Sequence, residues 1–157
     1  MANDHVREAM ARLPAGVVVV SARAGSGYRG LTASSLVTIS SHPPMLLVVV
    51  QRETATRAAI VESKAFNVSV LSRTQEFIAD RFAGRAPAVD EAWSTLPHRL
   101  GSNGIPLLEG SAAWFECELT DIHGAADHDI LVGAVSTATA GAGDPLVVWD
   151  RVFWTLR

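Results

Sequence analysis

A single cysteine, Cys117, is the only thiol in this 157-residue chain. No disulfide can form within the chain, and the sequence reads as intracellular, with the cytoplasm as the expected location. Long apolar runs are also missing. None reaches the roughly 18 uncharged apolar residues that cross a bilayer as a helix. The charged N-terminal stretch from Met1 to Leu13 has no apolar core of signal-peptide length. Nor is there a Lys/Arg-rich run, and 13 basic against 16 acidic residues give a net charge of −3. That balance offers no electrostatic footprint for nucleic acid. Several catalytic signatures are absent: no Gly-x-Ser-x-Gly elbow, no Gly-x-Gly-x-x-Gly opening a helix, and no phosphate-loop Gly-Lys-Ser/Thr. A nucleotide cofactor, if one binds, is therefore held outside the doubly wound fold. His123, Asp127 and His128 match no compact zinc spacing, so no metal is expected.

Hydrophobic residues make up 48% of the chain and charged ones 18%, the balance of a chain that folds. The length suits one domain spanning 1–157, and no repeat or boundary divides it. A first helix is expected after Asp4, with Val6, Met10 and Leu13 on one face and Pro14 discouraging continuation. The β-branched run Val17 to Ser21, the turn Ala24-Gly25-Ser26-Gly27 and Tyr28 to Thr32 read as a hairpin. Met45 to Val50 is apolar without alternation, which predicts burial on both faces against a helix or a second subunit. A helix over Thr54 to Glu62 and a strand over Phe66 to Leu71 follow. Ser72 with Gln75 then forms a capping-box pattern opening a helix through Phe82 that carries Phe77, Ile78 and Phe82. Gly84 to Gly110, rich in Pro, Gly and Ser, reads as a long surface excursion. Ala113 to Thr120 alternates as a half-buried strand with Ala113, Phe115, Cys117 and Leu119 inward. Ile130 to Ala138 and Leu146 to Leu156, with a break near Asp150, complete a mainly β, antiparallel barrel or closed sheet with helical insertions.

Three segments carry candidate chemistry. Gly30-Leu31-Thr32-Ala33-Ser34-Ser35 sets three hydroxyls beside a glycine where a strand ends. Such groups can coordinate a phosphate, or can simply satisfy their own backbone. Gln51-Arg52-Glu53-Thr54-Ala55-Thr56-Arg57 lies between a buried strand and a helix. A helix N-terminus attracts anions, and Arg52 and Arg57 can pair with phosphate oxygens; the other reading makes Thr54 a plain N-cap and the arginines solvated. Ala126-Asp127-His128 follows a turn, where a histidine can donate to a ligand or stand exposed.

Taken in order along the chain, these pieces resemble the flavin reductase family that supplies reduced flavin to two-component monooxygenases. The shared markers are Pro14-Ala15-Gly16-Val17, Gly30 to Ser35, Pro43-Pro44, Phe66 to Ser72 with Gln75, Phe82-Ala83-Gly84, Gly104 to Leu108, and Asp127-His128 followed by Gly133. The resemblance implies an FMN-binding split β-barrel of antiparallel Greek-key type. Thr32, Ala33, Ser34 and Ser35 would line the flavin, and Gln51, Arg52, Thr54 and Thr56 would hold its phosphate side. Asn67 and Ser72 would sit near the flavin, Phe82 and Gly84 would border the pocket, and His128 would lie by the nicotinamide. Two departures stand out: Ala126 replaces the glycine of the family's Gly-Asp-His, and Glu53 puts a carboxylate where small hydroxyl residues are common.

The implied activity is NAD(P)H:flavin oxidoreduction, with NADH or NADPH reducing FMN or FAD for a partner flavin-dependent monooxygenase, by a homodimer. Two alternatives stay open: a split-barrel flavoprotein that keeps its flavin and acts directly on an organic substrate, and a non-catalytic flavin or heme carrier.

Overall fold

The computed structural model describes residues 2–85 and 92–156. Along the chain run α1 (Ala2–Ala11), β1 (Ala15–Gly16), β2 (Val18–Ala24), β3 (Gly27–Ala33), β4 (Val37–Ser41) and β5 (Pro44–Gln51). Then come α2 (Ala55–Ser63), β6 (Ala65–Val70), α3 (Glu76–Asp80), a wide helical turn at Arg81–Arg85, and α4 (Ala92–Thr95). The short hairpin of β7 (His98–Leu100) and β8 (Pro106–Leu108) precedes β9 (Ala113–Ala125), β10 (His128–Ala140), β11 (Leu146–Trp149) and β12 (Val152–Thr155). The main sheet has seven strands in the order β3-β2-β6-β9-β10-β5-β4, every pair antiparallel. β1, β11 and β12 form a second, three-stranded sheet.

The β-branched run at the start of β2 has a direct cause. Val18, Val20 and Ala22 face one core with Leu46, Val48, Val50, Phe66, Val68 and Leu131. Val17 and Val19 face the other, with Leu71, Ile78, Phe82, Trp93, Leu108 and Leu146. A strand covered on both sides has no polar face to offer, so the sequence shows no alternation there.

β5 behaves differently from its sequence reading. Only Leu46, Val48 and Val50 are buried, while Met45, Leu47 and Val49 are partly covered. Burial on both faces is thus not reached within one chain. The expected surface excursion also needs correction, because Trp93, Leu96, Ile105, Leu107 and Leu108 are all buried. Its apolar residues sit in short elements whose period is too brief to register; residues 86–91 lie outside the described part. In β9, Glu116 is buried with Cys117 rather than facing solvent. On the helix after Ser72, Ile78 and Phe82 turn inward but Phe77 is 60% exposed. The break near Asp150 is a tight turn, with Asp150 and Arg151 both at positive φ.

Candidate functional site

A cavity of about 660 Å³ opens where β3 ends, α2 begins, the wide turn after α3 passes, and β10 starts. Its volume falls in the range of small-molecule sites. Gly30, Leu31, Thr32, Ala33, Ser34 and Ser35 line it from β3 and the bend that follows. The three hydroxyls there have different roles. Thr32 Oγ1 donates to the Ala79 carbonyl at 2.6 Å, tying β3 to α3. Ser35 Oγ donates to the Val49 carbonyl at 2.8 Å and accepts from the Val49 amide at 3.1 Å, so one side chain stitches the end of β3 to β5. Ser34 is exposed and makes no side-chain hydrogen bond among the described residues. The backbone-satisfying reading therefore holds for Thr32 and Ser35, and the Ser34 hydroxyl has no such partner among the described residues.

Gln51, Thr54, Ala55 and Thr56 line the same cavity. Thr54 caps α2, with Oγ1 accepting from the Arg57 amide at 3.2 Å and donating to the Gln51 carbonyl at 3.0 Å. The first-turn amides of Ala55 and Thr56 have no carbonyl within the helix to bond, which is what makes such a terminus receptive to an anion. Arg52 and Arg57 do not join them. Both guanidinium groups turn to Asp129, whose carboxylate is buried. Burial pushes the Asp129 carboxyl up, but the hydrogen bonds and charges of Arg52 and Arg57 outweigh it and hold it below the ordinary carboxylate value. Glu53 points into a separate surface concavity with Arg52, Ala126 and Asp127, so no carboxylate from this loop faces the main cavity.

Phe82 and Gly84 border the cavity from the wide turn. Phe82 rests on Trp93 with ring centroids 5.0 Å apart. Gly30 makes this possible, because a Cβ at that position would stand 2.8 Å from Phe82 Cε1 and 3.0 Å from Trp93 Cζ2. Gly84 adopts a φ of 76°, which suits a residue without Cβ.

His128 reaches the cavity from the first position of β10. Its Nδ1 bonds Asp127 Oδ1 at 2.7 Å, leaving Nε2 as the ring atom not engaged by that bond. The hydrogen bond from His128 lowers the Asp127 carboxyl first, helped by a backbone amide and by the neighbouring positive charge. The turn that carries the pair has Ala126 at a φ of 54°.

Asn67 and Ser72 are not brought to the cavity. Asn67 is fully buried, exchanging hydrogen bonds with Asn103 at 3.1 and 2.6 Å and donating to the Ile105 carbonyl at 3.0 Å. Ser72 is held by Gln75, whose Oε1 accepts from the Ser72 amide at 2.9 Å. Both polar groups serve the packing of the chain against itself. Conversely, Arg29, Val49 and Val50 line the cavity although nothing in the sequence marks them as site residues, whereas Ala83 lines it from within the Phe82-Ala83-Gly84 marker. The register of Arg29 on β3 and of Val49 and Val50 on β5 is set by strand pairings that no local pattern reveals.

The sequence pattern of the flavin reductase like domain matches this chain over residues 10–157. The chain belongs to that family. Among flavin reductase relatives, "FMN reductase (NADH) RutF 1" of Methylorubrum extorquens is 34% identical over 96% of this chain and 75% of its own length. "FMN reductase (NADH) SmoA" of Agrobacterium fabrum is 32% identical over 93% of this chain and 88% of its own. The crystal structure of BorF, the flavin reductase component of a bacterial two-component tryptophan halogenase, superposes with a TM-score of 0.91 at 33% identity, covering 98% of each chain. SgcE6 of Streptomyces globisporus, an NADH:FAD oxidoreductase solved with NAD and FAD fragments, superposes with a TM-score of 0.90 at 32% identity, covering 99% of this chain and 93% of its own.

Proposed function

We propose that this protein is an NADH-dependent flavin reductase that reduces FMN or FAD and releases it to a flavin-dependent monooxygenase or halogenase. The observation that carries this reading is the convergence in one cavity of Gly30 to Ser35, the α2 N-terminus, Phe82 and His128. The similarity to reductases named for NADH and FMN supports it.

The residues present fit a flavin with its phosphate chain. Helix amides at Ala55 and Thr56 with the hydroxyl of Ser34 would meet phosphate and ribityl oxygens, while Leu31, Ala33, Val49, Val50 and Phe82 give the ring system an apolar wall. When bound, the flavin accepts and the nicotinamide donates the hydride, so the protein needs little acid–base equipment of its own. The chain's own work is to hold two rings in contact and to exclude water. His128 contributes a directed Nε2 for the nicotinamide carboxamide or phosphates, oriented by Asp127. Neither arginine of the α2 loop is available to grip phosphate, and neutral donors suit a flavin that leaves after reduction.

The finer architecture follows the same reading. Residues 1–157 form one domain, an FMN-binding split β-barrel of antiparallel Greek-key type, with the Ser35–Val49 stitch drawing the β3 edge onto β5. Two copies associate through the face bearing Val37 and Ile39, 53% and 48% exposed, beside the partly covered Met45 and Leu47. No helix among the described residues is long and apolar enough to cross a membrane, and the lone, buried Cys117 suits the cytoplasm.

Steady-state assays crossing NADH and NADPH with FMN and FAD test the reading. NADH consumption should rise in proportion to added free flavin, with NADH preferred. A tightly yellow protein indifferent to added flavin would point instead to direct action on an organic substrate.

A further inference from the structure

We infer that Asp129 is a positioning residue for the cavity: one buried carboxylate clamps Arg52 and Arg57 and thereby fixes the α2 N-terminus relative to His128. The claim rests on the reductase reading for its functional consequence, and on geometry for the clamp itself. Asp129 Oδ1 accepts from Arg52 Nε at 3.1 Å, and Oδ2 accepts from Arg57 Nε and Nη2, both at 2.8 Å. The Asp129 side chain is 3% exposed while Arg52 and Arg57 remain partly solvated, so the carboxylate depends on these charge-assisted bonds for its burial and losing them is costly.

Each arm reaches a different part of the cavity wall. Arg57 is the third residue of α2, and its own amide is the one Thr54 caps. Holding its guanidinium therefore sets the first turn that presents Ala55 and Thr56. Arg52 follows Gln51 at the end of β5. Its amide donates to the Asp127 carbonyl at 2.9 Å and its Nη2 to the His128 carbonyl at 3.2 Å. Asp129 itself stands next to His128 on β10. Two walls contributed by segments more than 70 residues apart thus meet on a single side chain that does not line the cavity.

Gly124, on the neighbouring strand, is shaped to this clamp. A Cβ there would lie 2.9 Å from Arg52 Nη2 and 3.7 Å from Asp129 Oδ1. Because the near atom is the far end of a long side chain, Gly124→Ala can be accommodated by moving the guanidinium alone. That substitution unseats Arg52 while leaving every charge in place.

The test compares wild type, Asp129→Asn and Gly124→Ala by three measurements: the Kd for FMN from flavin fluorescence, the KM and kcat with NADH, and amide exchange of residues 51–57 and 127–129. Positioning predicts faster exchange in both segments. It predicts FMN Kd and NADH KM raised about three- to tenfold in Asp129→Asn, the scale of one lost hydrogen bond, and raised less but in the same direction in Gly124→Ala. A lower melting temperature with unchanged Kd, KM and exchange would make the clamp merely structural and overturn the inference. Tighter FMN binding would overturn it too, since the arginines would then be held away from the flavin rather than used to place its walls. Should Asp129→Asn fail to fold, Gly124→Ala decides alone. A wild type that consumes no NADH with any flavin would sink the reductase reading, whereas exchange still reports the clamp.

Discussion

Ser35 and Ser34 are neighbours of the same type, yet Ser35 bonds the Val49 backbone of β5 while Ser34 makes no side-chain hydrogen bond among the described residues. The sequence places both at a strand end; which hydroxyl is free depends on Val49, whose approach no local pattern encodes. His128 shows a different case: its segment stands out as a candidate in the sequence, and the structure adds the bond from its ring to Asp127. Replacing His128 by Ala should raise the KM for NADH about three- to tenfold, the worth of one hydrogen bond, with FMN affinity nearly unchanged. Titrating both ligands checks this, and an unaltered nicotinamide KM would remove His128 from the site. Ala126 carries a positive φ at the first of the two residues joining β9 to β10, a position that favours glycine in such turns. A left-handed conformation costs a non-glycine residue roughly 1–2 kcal/mol, and glycine's freedom in the unfolded chain returns about 0.4–1 kcal/mol of that. Ala126→Gly should therefore stabilise by about 0.5–1 kcal/mol, seen as a melting temperature higher by about 2 °C in a thermal scan.

Helix α2 illustrates what an element contributes. Thr54 is a conventional N-cap by sequence and by structure, but here the capped turn is also a cavity wall. Thr54→Ala should cost about 1 kcal/mol of stability and weaken FMN binding in the same variant, measured by melting and by fluorescence titration. Asp129 links the same helix to β10 and gives the fold a pH signature. Its folded pKa lies below the ordinary value of 3.8, so the stability it contributes is complete above that value. That contribution is lost as pH falls through the lower folded value. Wild type should lose stability on acidification through this window more steeply than Asp129→Asn, as pH-resolved melting would show. Elements with long or strongly patterned sequences, such as β2, α2 and β10, were legible. The β7–β8 hairpin was not, because three-residue strands flanked by glycine and proline carry too little periodicity to separate from a loop.

At the scale of the molecule, two cores share β2, and the cavity forms where the sheet's β3 edge meets the α2 terminus and the start of β10. The general architecture could be read because antiparallel strands and turns leave a regular trace. The side-chain contact of Ser35 with Val49 on β5, and the capture of both arginines by Asp129, could not, because they depend on how separate elements meet rather than on local pattern. Val37 and Ile39 on β4 and the half-covered face of β5 predict a dimer at micromolar concentration. Light scattering after size exclusion should report twice the chain mass. The most direct test of the cavity's role is anaerobic mixing of the protein with FMN and NADH while flavin absorbance is followed. A functional cavity bleaches the flavin rapidly, at a rate set by the protein. Absorbance that fades no faster than in a protein-free mixture would contradict that role.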